Sequence, residues 1–176
     1  MPNLNPVPDE LQHLQPQLDG IEKDALVRVL PDGALTVGEK GSCPADIPVL
    51  GGFVCGFSDD GKGVQSEEMM RRTMTMVRST GTFIAAHCED EGEVPEGATT
   101  IQENCPLAKE KGYTGVNNKS EWAEVERDIR LAEETGCPLH ICHTSTAQSF
   151  DLVRRAKARG LPVTCEVTPH NLLLCC

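Results

Sequence analysis

The stretch Pro138-Leu-His-Ile-Cys-His-Thr-Ser-Thr146 decides how the rest of the chain is read. It is short, apolar at its start, and turns abruptly polar. Gly136 before it is a helix stop, and Ser145 or Thr146 after it is a helix start. The stretch therefore reads as a buried strand feeding a helix, with chemistry-bearing side chains at its carboxyl end. That end is where α/β folds place their active sites. His140 and His143 are an odd number of residues apart, so in a regular strand they face opposite sides. At most one of them turns into a shared site.

Working outward, a helix spans about Ala147 to Arg159, with Phe150, Val153 and Ala156 inward and Gly160 as its stop. Leu161–Val167 reads as the last strand. Upstream, a helix begins at Ser120 and puts Trp122, Val125, Ile129 and Ala132 on one face. Residues 91–118 before it carry no period and are long for a connection, either a cover over a site or an insertion. Thr82–Cys88 is a strand that ends in His87, Glu89 and Asp90. Before it, Ser66 caps a helix whose inward face is Met69, Met70, Met74 and Val77, closed by Gly81. Phe53–Phe57 is a strand ending in Ser58-Asp-Asp-Gly61. Residues 36–52 show no clean period. Ala25–Leu30 reads as a short strand and Pro31-Asp-Gly33 as a turn. A helix over Asp9–Lys23 has to kink or split at Pro16.

This alternation predicts parallel strands joined by right-handed crossovers in an α/β fold. A doubly wound sheet and part of a barrel fit the pattern equally. No glycine-rich nucleotide loop is present.

The 176 residues suffice for one domain, taken as residues 1–176. A net charge of −11 argues against a nucleic-acid partner, and no run approaches the ~18 apolar residues of a membrane span. The start, Met-Pro-Asn-Leu-Asn-Pro, lacks signal-peptide character, so a cytoplasmic setting is expected. Of the nine cysteines, Cys55, Cys88, Cys137, Cys142 and Cys165 sit in or beside apolar runs and read as reduced and buried. No Cys-x-x-Cys pair exists for a structural zinc knuckle.

Three strands in succession end in potential metal ligands: Asp60, His87 and His143. Neighbouring parallel strands lie about 4.8 Å apart, so groups at the same end of each can converge. One carboxylate and two imidazoles suit a zinc-like divalent ion. The plain alternatives are hydrogen-bonded strand-end histidines, and an ordinary turn for Asp59 and Asp60.

The chain resembles bacterial dihydroorotase, of the cyclic amidohydrolase superfamily. The matching pieces are Met1-Pro-Asn3 with Pro6-Val-Pro-Asp9, Val27-Arg-Val-Leu-Pro31, Phe57-Ser-Asp-Asp-Gly-Lys-Gly-Val-Gln65 and Ala86-His-Cys-Glu-Asp90. Arg127-Asp-Ile, His140–Thr146 and Val163-Thr-Cys-Glu-Val-Thr-Pro-His170 follow in family order. The resemblance implies a partial (β/α)8 barrel of the metal-dependent hydrolase type. It implies that Asp60 bridges two zinc ions, that His87 and His143 complete the second zinc site, and that Asn3 helps bind the substrate carboxylate. The implied reaction is the reversible cyclisation of N-carbamoyl-L-aspartate to L-dihydroorotate in pyrimidine synthesis. His140 is assigned to packing or support, and His170 belongs to the Thr-Pro-His signature outside the ligand set.

The family's His-x-His-x-Arg motif and its eighth-strand aspartate, the general base, have no counterpart here. Asn171 stands where a second histidine is common, and the helix expected at residues 44–52 looks shortened and broken. Met1 coincides with an internal methionine of the family, and the chain stops directly after Leu172–Leu174, Cys175 and Cys176. The expectation is a fragment, inactive alone, able to form a homodimer or to associate with aspartate transcarbamoylase. Two alternatives remain: an allantoinase or hydantoinase, against which Asp60 in place of the usual lysine speaks, and a non-catalytic scaffold for aspartate transcarbamoylase.

Overall fold

The computed structural model describes residues 1–174. Its elements run α1 (Leu11–Asp24), β1 (Asp32–Ala34), α2 (Ile47–Leu50), β2 (Gly56–Ser58), α3 (Glu67–Thr80), β3 (Ile84–Ala86), α4 (Pro106–Lys111), α5 (Lys119–Thr135), β4 (Leu139–Ile141), α6 (Ala147–Ala158), β5 (Val163–Cys165) and α7 (Pro169–Leu173).

All five strands are parallel, and each pairs with the next in sequence, in the order β1-β2-β3-β4-β5. This order separates the two architectures that the sequence pattern left open. A doubly wound sheet reverses its strand order at a switch point, whereas a barrel adds each strand beside the last. Right-handed crossovers in an unreversed order put the helices on one face. There α3 packs against α5, and α5 against α6. The fold is thus an arc of a (β/α)8 barrel.

The core lies between strands and helices. Phe57, Ile84, Leu139, Ile141 and Val163 from the strands meet Met70, Met74 and Val77 of α3, Val125, Ile129 and Leu131 of α5, and Val153 of α6. Helix ends follow their chemistry. Ser66 accepts a hydrogen bond from the Met69 amide and Thr146 from the Ser149 amide, while Gly81 and Gly136 close α3 and α5 at φ of 77° and 70°.

One expectation is corrected and two are refined. The first strand is not Ala25–Leu30 but Asp32–Ala34, which includes the residues read as a turn. Leu26 and Val27 are exposed instead. Gly33 is in the strand because the Phe57 ring lies where a side chain would go: a Cβ there would be 3.0 Å from Phe57 Cε1. A strand glycine of this kind marks close approach, not a turn. Of the two alternatives at Pro16, splitting does not occur: α1 is one helix over Leu11–Asp24 with Pro16 inside it. Residues 91–118, which showed no period in the sequence, contain α4 and a bridge between Gln102 and Val116. The one-turn α2 agrees with the shortened helix at residues 44–52. Among the described residues no helix is long and apolar enough to cross a membrane.

Candidate metal centre

Asp60, His87 and His143 all follow the carboxyl ends of their strands, at one rim of the sheet. The register pairs Ala86 with Ile141, and the Cys142 amide donates to the Ala86 carbonyl at 3.0 Å. His87 and His143 therefore leave the sheet side by side. His87 Nδ1 and His143 Nε2 are 2.9 Å apart, with the rings edge to face at a centroid separation of 4.8 Å. Two nitrogens on one tetrahedral zinc would stand about 3.3 Å apart, given zinc–nitrogen bonds of about 2.0–2.1 Å. The donor pair fits such an ion. Burial, and then the neighbouring His143, hold the His87 imidazole below its ordinary pKa, so its lone pair is available at neutral pH.

His143 is beyond the regular strand, with a left-handed backbone at φ of 36°. Strand parity ends before it, which frees His143 from the alternation that fixes His140. The turn is held from three sides. The Thr144 amide donates to the Glu166 carbonyl at 2.8 Å, and the Asn171 side-chain amide donates to the His143 carbonyl at 3.4 Å. From α5, the Glu121 carboxylate accepts the Ser145 and Thr146 amides, each at 3.0 Å, together with both hydroxyls. Burial alone would raise the Glu121 pKa, but the donors from Ser145, Ser149 and Thr146 outweigh it and hold the carboxyl below its usual range.

The same helix braces the other loops. Arg127 pairs with the buried Glu124 and Asp128, each at 2.8 Å, and donates to the Gln65 carbonyl at 3.0 Å. The Gln65 side chain in turn donates to the Glu89 carbonyl and accepts the Glu91 amide, tying down the loop after His87. Burial pushes the Glu124 carboxyl up to about 7 despite Arg127.

The two aspartates of Ser58-Asp-Asp-Gly61 have separate fates. Asp59 is buried and its carboxylate accepts the Leu35 and Thr36 amides at 2.8 and 3.0 Å, as well as the Thr36 hydroxyl. It locks the end of β1 to the end of β2. Asp60 is half-buried in a left-handed conformation at φ of 48°, and its charge favours protonation of His87. Among the described residues, the two histidines are in contact at the rim, and Asp60 is not grouped with them as a cluster of three metal donors. Asn3 is exposed, at the N-terminal segment, and does not line the cleft beside the histidines.

That cleft, about 350 Å³, is walled by His87, His143 and His170 on the barrel side and by Thr100, Gln102 and Asn117 from the segment covering it. Sequence reasoning offered a cover there as one of two readings. It gave His140 a packing or supporting role; in the structure His140 sits with Cys142 and Glu166 in a separate cluster of donors. The signal was present: His140 and Cys142 are two residues apart on one strand, and Glu166 is just past the matched residues of the next.

Residues 1–149 match the family described as dihydro-orotase-like. The chain belongs to the dihydro-orotase-like family. It is 42% identical over 175 residues to the dihydroorotase of Fusobacterium nucleatum, covering 99% of this chain and 40% of that one. It is 43% identical over 178 residues to the dihydroorotase of Anoxybacillus flavithermus, with the same coverage. The chain thus spans about 40% of the length of these curated dihydro-orotase-like relatives. Among solved structures, the L-hydantoinase of Arthrobacter aurescens superposes with a TM-score of 0.76 at 19% identity, over 97% of this chain and 39% of that one. A D-hydantoinase superposes at 0.67, also at 19% identity, over 94% and 37%. At such identities the likeness is one of fold, and it is the barrel arc described above.

Proposed function

We propose that this chain is the part of a dihydroorotase-type cyclic amidohydrolase that carries half of a binuclear zinc centre and one wall of its substrate cleft. The observation that carries the reading is the contact of His87 with His143 at the mouth of a polar cleft, at the carboxyl rim of a barrel sheet. In this reading His87 and His143 provide two neutral nitrogen donors, and Asp60, which follows β2 at the same rim, closes on the ion as the anionic oxygen donor. A zinc ion held by them would supply Lewis acidity that polarises the carbonyl of the ring amide. The chain's own residues do the rest. Glu121 and Asn171 fix the backbone from which His143 projects. Thr100, Gln102 and Asn117 present hydrogen-bonding groups to the substrate and shield the cleft from water.

The reaction class is the reversible cyclisation of N-carbamoyl-L-aspartate to L-dihydroorotate. Its setting is cytoplasmic pyrimidine synthesis, in a homodimer or a complex with aspartate transcarbamoylase. Thermal unfolding of the zinc-loaded chain tests the substrate class, because a ligand that binds the folded state raises the melting temperature. N-carbamoyl-L-aspartate or L-dihydroorotate should raise it, and allantoin or hydantoin should not. The reverse pattern would replace this reading with that of an allantoinase or hydantoinase.

A further inference from the structure

Strands β4 and β5 gather a second set of donors, different from the histidine pair at the rim. His140 and Cys142 share a strand face, and Glu166 stands across from Cys142, one step beyond the paired residues His140–Thr164 and Ile141–Cys165. One ring nitrogen of His140, Sγ of Cys142 and one carboxylate oxygen of Glu166 all lie within 4.8 Å of one another. His140 Nε2 is 3.7 Å from Glu166 Oε2, about the separation of two ligands on a tetrahedral ion. The other ring nitrogen, Nδ1, is 2.8 Å from Thr164 Oγ1. Metal-bound imidazoles are oriented in this way, with one nitrogen hydrogen-bonded so that the other presents its lone pair. The frame beneath is fixed by backbone bonds: the Glu166 amide donates to the Ile141 carbonyl at 3.0 Å, and the Thr144 amide to the Glu166 carbonyl at 2.8 Å.

We propose that His140, Cys142 and Glu166 form a second divalent-cation site of zinc type, separate from the His87–His143 pair. The donor set argues for the ion. A thiolate excludes hard cations such as magnesium and calcium, and imidazole with carboxylate completes a borderline set that zinc takes at three protein positions, with a fourth left open. As the sulfur–metal bond forms, the Cys142 proton passes to solvent. Thiolate and carboxylate then balance the two positive charges, which leaves the site neutral. The site stands or falls independently of the proposed reaction.

Cobalt(II) is the probe, because a cobalt–thiolate bond gives an intense near-ultraviolet charge-transfer band that nitrogen and oxygen ligands do not. Cobalt added to the reduced full chain should produce this band, and zinc should abolish it by displacement. Cys142→Ser should remove the band and Cys165→Ser should retain it. His140→Ala and Glu166→Gln should each weaken cobalt binding by at least about tenfold, the loss expected for partners of a metal site. His143→Ala should leave the band in place. Absence of the band in the folded chain, or its survival in Cys142→Ser, would overturn the site. Its loss in His143→Ala would overturn the claim of two separate sites.

Discussion

His143 stands in a backbone conformation that a residue with a side chain adopts at a cost of about 1–3 kcal/mol, and the surrounding contacts hold it there. Glu121 makes the largest share of them, taking four donors from Ser145 and Thr146 with one carboxylate. Glu121→Gln replaces an acceptor oxygen by an amide that repels those donors. The turn should loosen, and zinc affinity at the histidine pair should fall by about tenfold or more, with the helical circular-dichroism signal unchanged. Competitive zinc titration of the two proteins measures this, and equal affinities would refute it. The sequence made His143 visible as a strand-end histidine, but not Glu121, whose partners are 24 and 25 residues away. Nor could Ser58-Asp-Asp-Gly61 say which aspartate looks inward. That is decided by the Leu35 and Thr36 amides, which are remote in sequence and brought close only by β1 pairing with β2.

Helix α5 was legible from its apolar period, yet its polar face does more than keep it in water. Glu124 and Asp128 are buried with Arg127 between them. Burial, followed by the charge of Asp128, raises the Glu124 pKa from 4.5 to about 7. The folded chain therefore binds this proton more tightly than the unfolded chain. The stability that protonation contributes is complete below the ordinary carboxylate pKa and is lost as pH rises through about 7. Urea unfolding between pH 5 and 8 should show that decline, and Glu124→Gln should flatten it while raising stability at the alkaline end. An identical slope in both proteins would contradict the assignment. In β1 the misreading came from treating Gly33 as a turn residue, when what it supplies is room for Phe57. Gly33→Ala should cost about 1–3 kcal/mol by overpacking, measured as a lowered urea midpoint. A neutral result would mean that the ring moves aside freely.

At the scale of the whole molecule, periodicity identified strands and helices but not neighbours, because alternation of apolar residues carries no information about strand order. The unreversed order β1 to β5 makes the sheet a barrel arc, and it leaves β1 and β5 at its two edges among the described residues. Leu26 and Val27, which precede β1 in the chain, and Leu172, Leu173 and Leu174, which follow β5, are exposed. The Pro8 carbonyl accepts the Ala34 amide of β1, but sheet edges whose flanking segments expose apolar side chains still invite association. Sedimentation of the chain alone should show concentration-dependent self-association at micromolar levels, which Leu173→Glu should weaken. A chain that stays monomeric throughout would show that the edges are adequately protected.

The proposed chemistry depends above all on His87 and His143 holding one ion between them. Equilibrium dialysis against zinc, comparing the intact chain with a His87→Ala, His143→Ala double variant of unchanged fold, tests this directly. The variant should retain one zinc equivalent fewer than the intact chain. Equal zinc in the two proteins would contradict it.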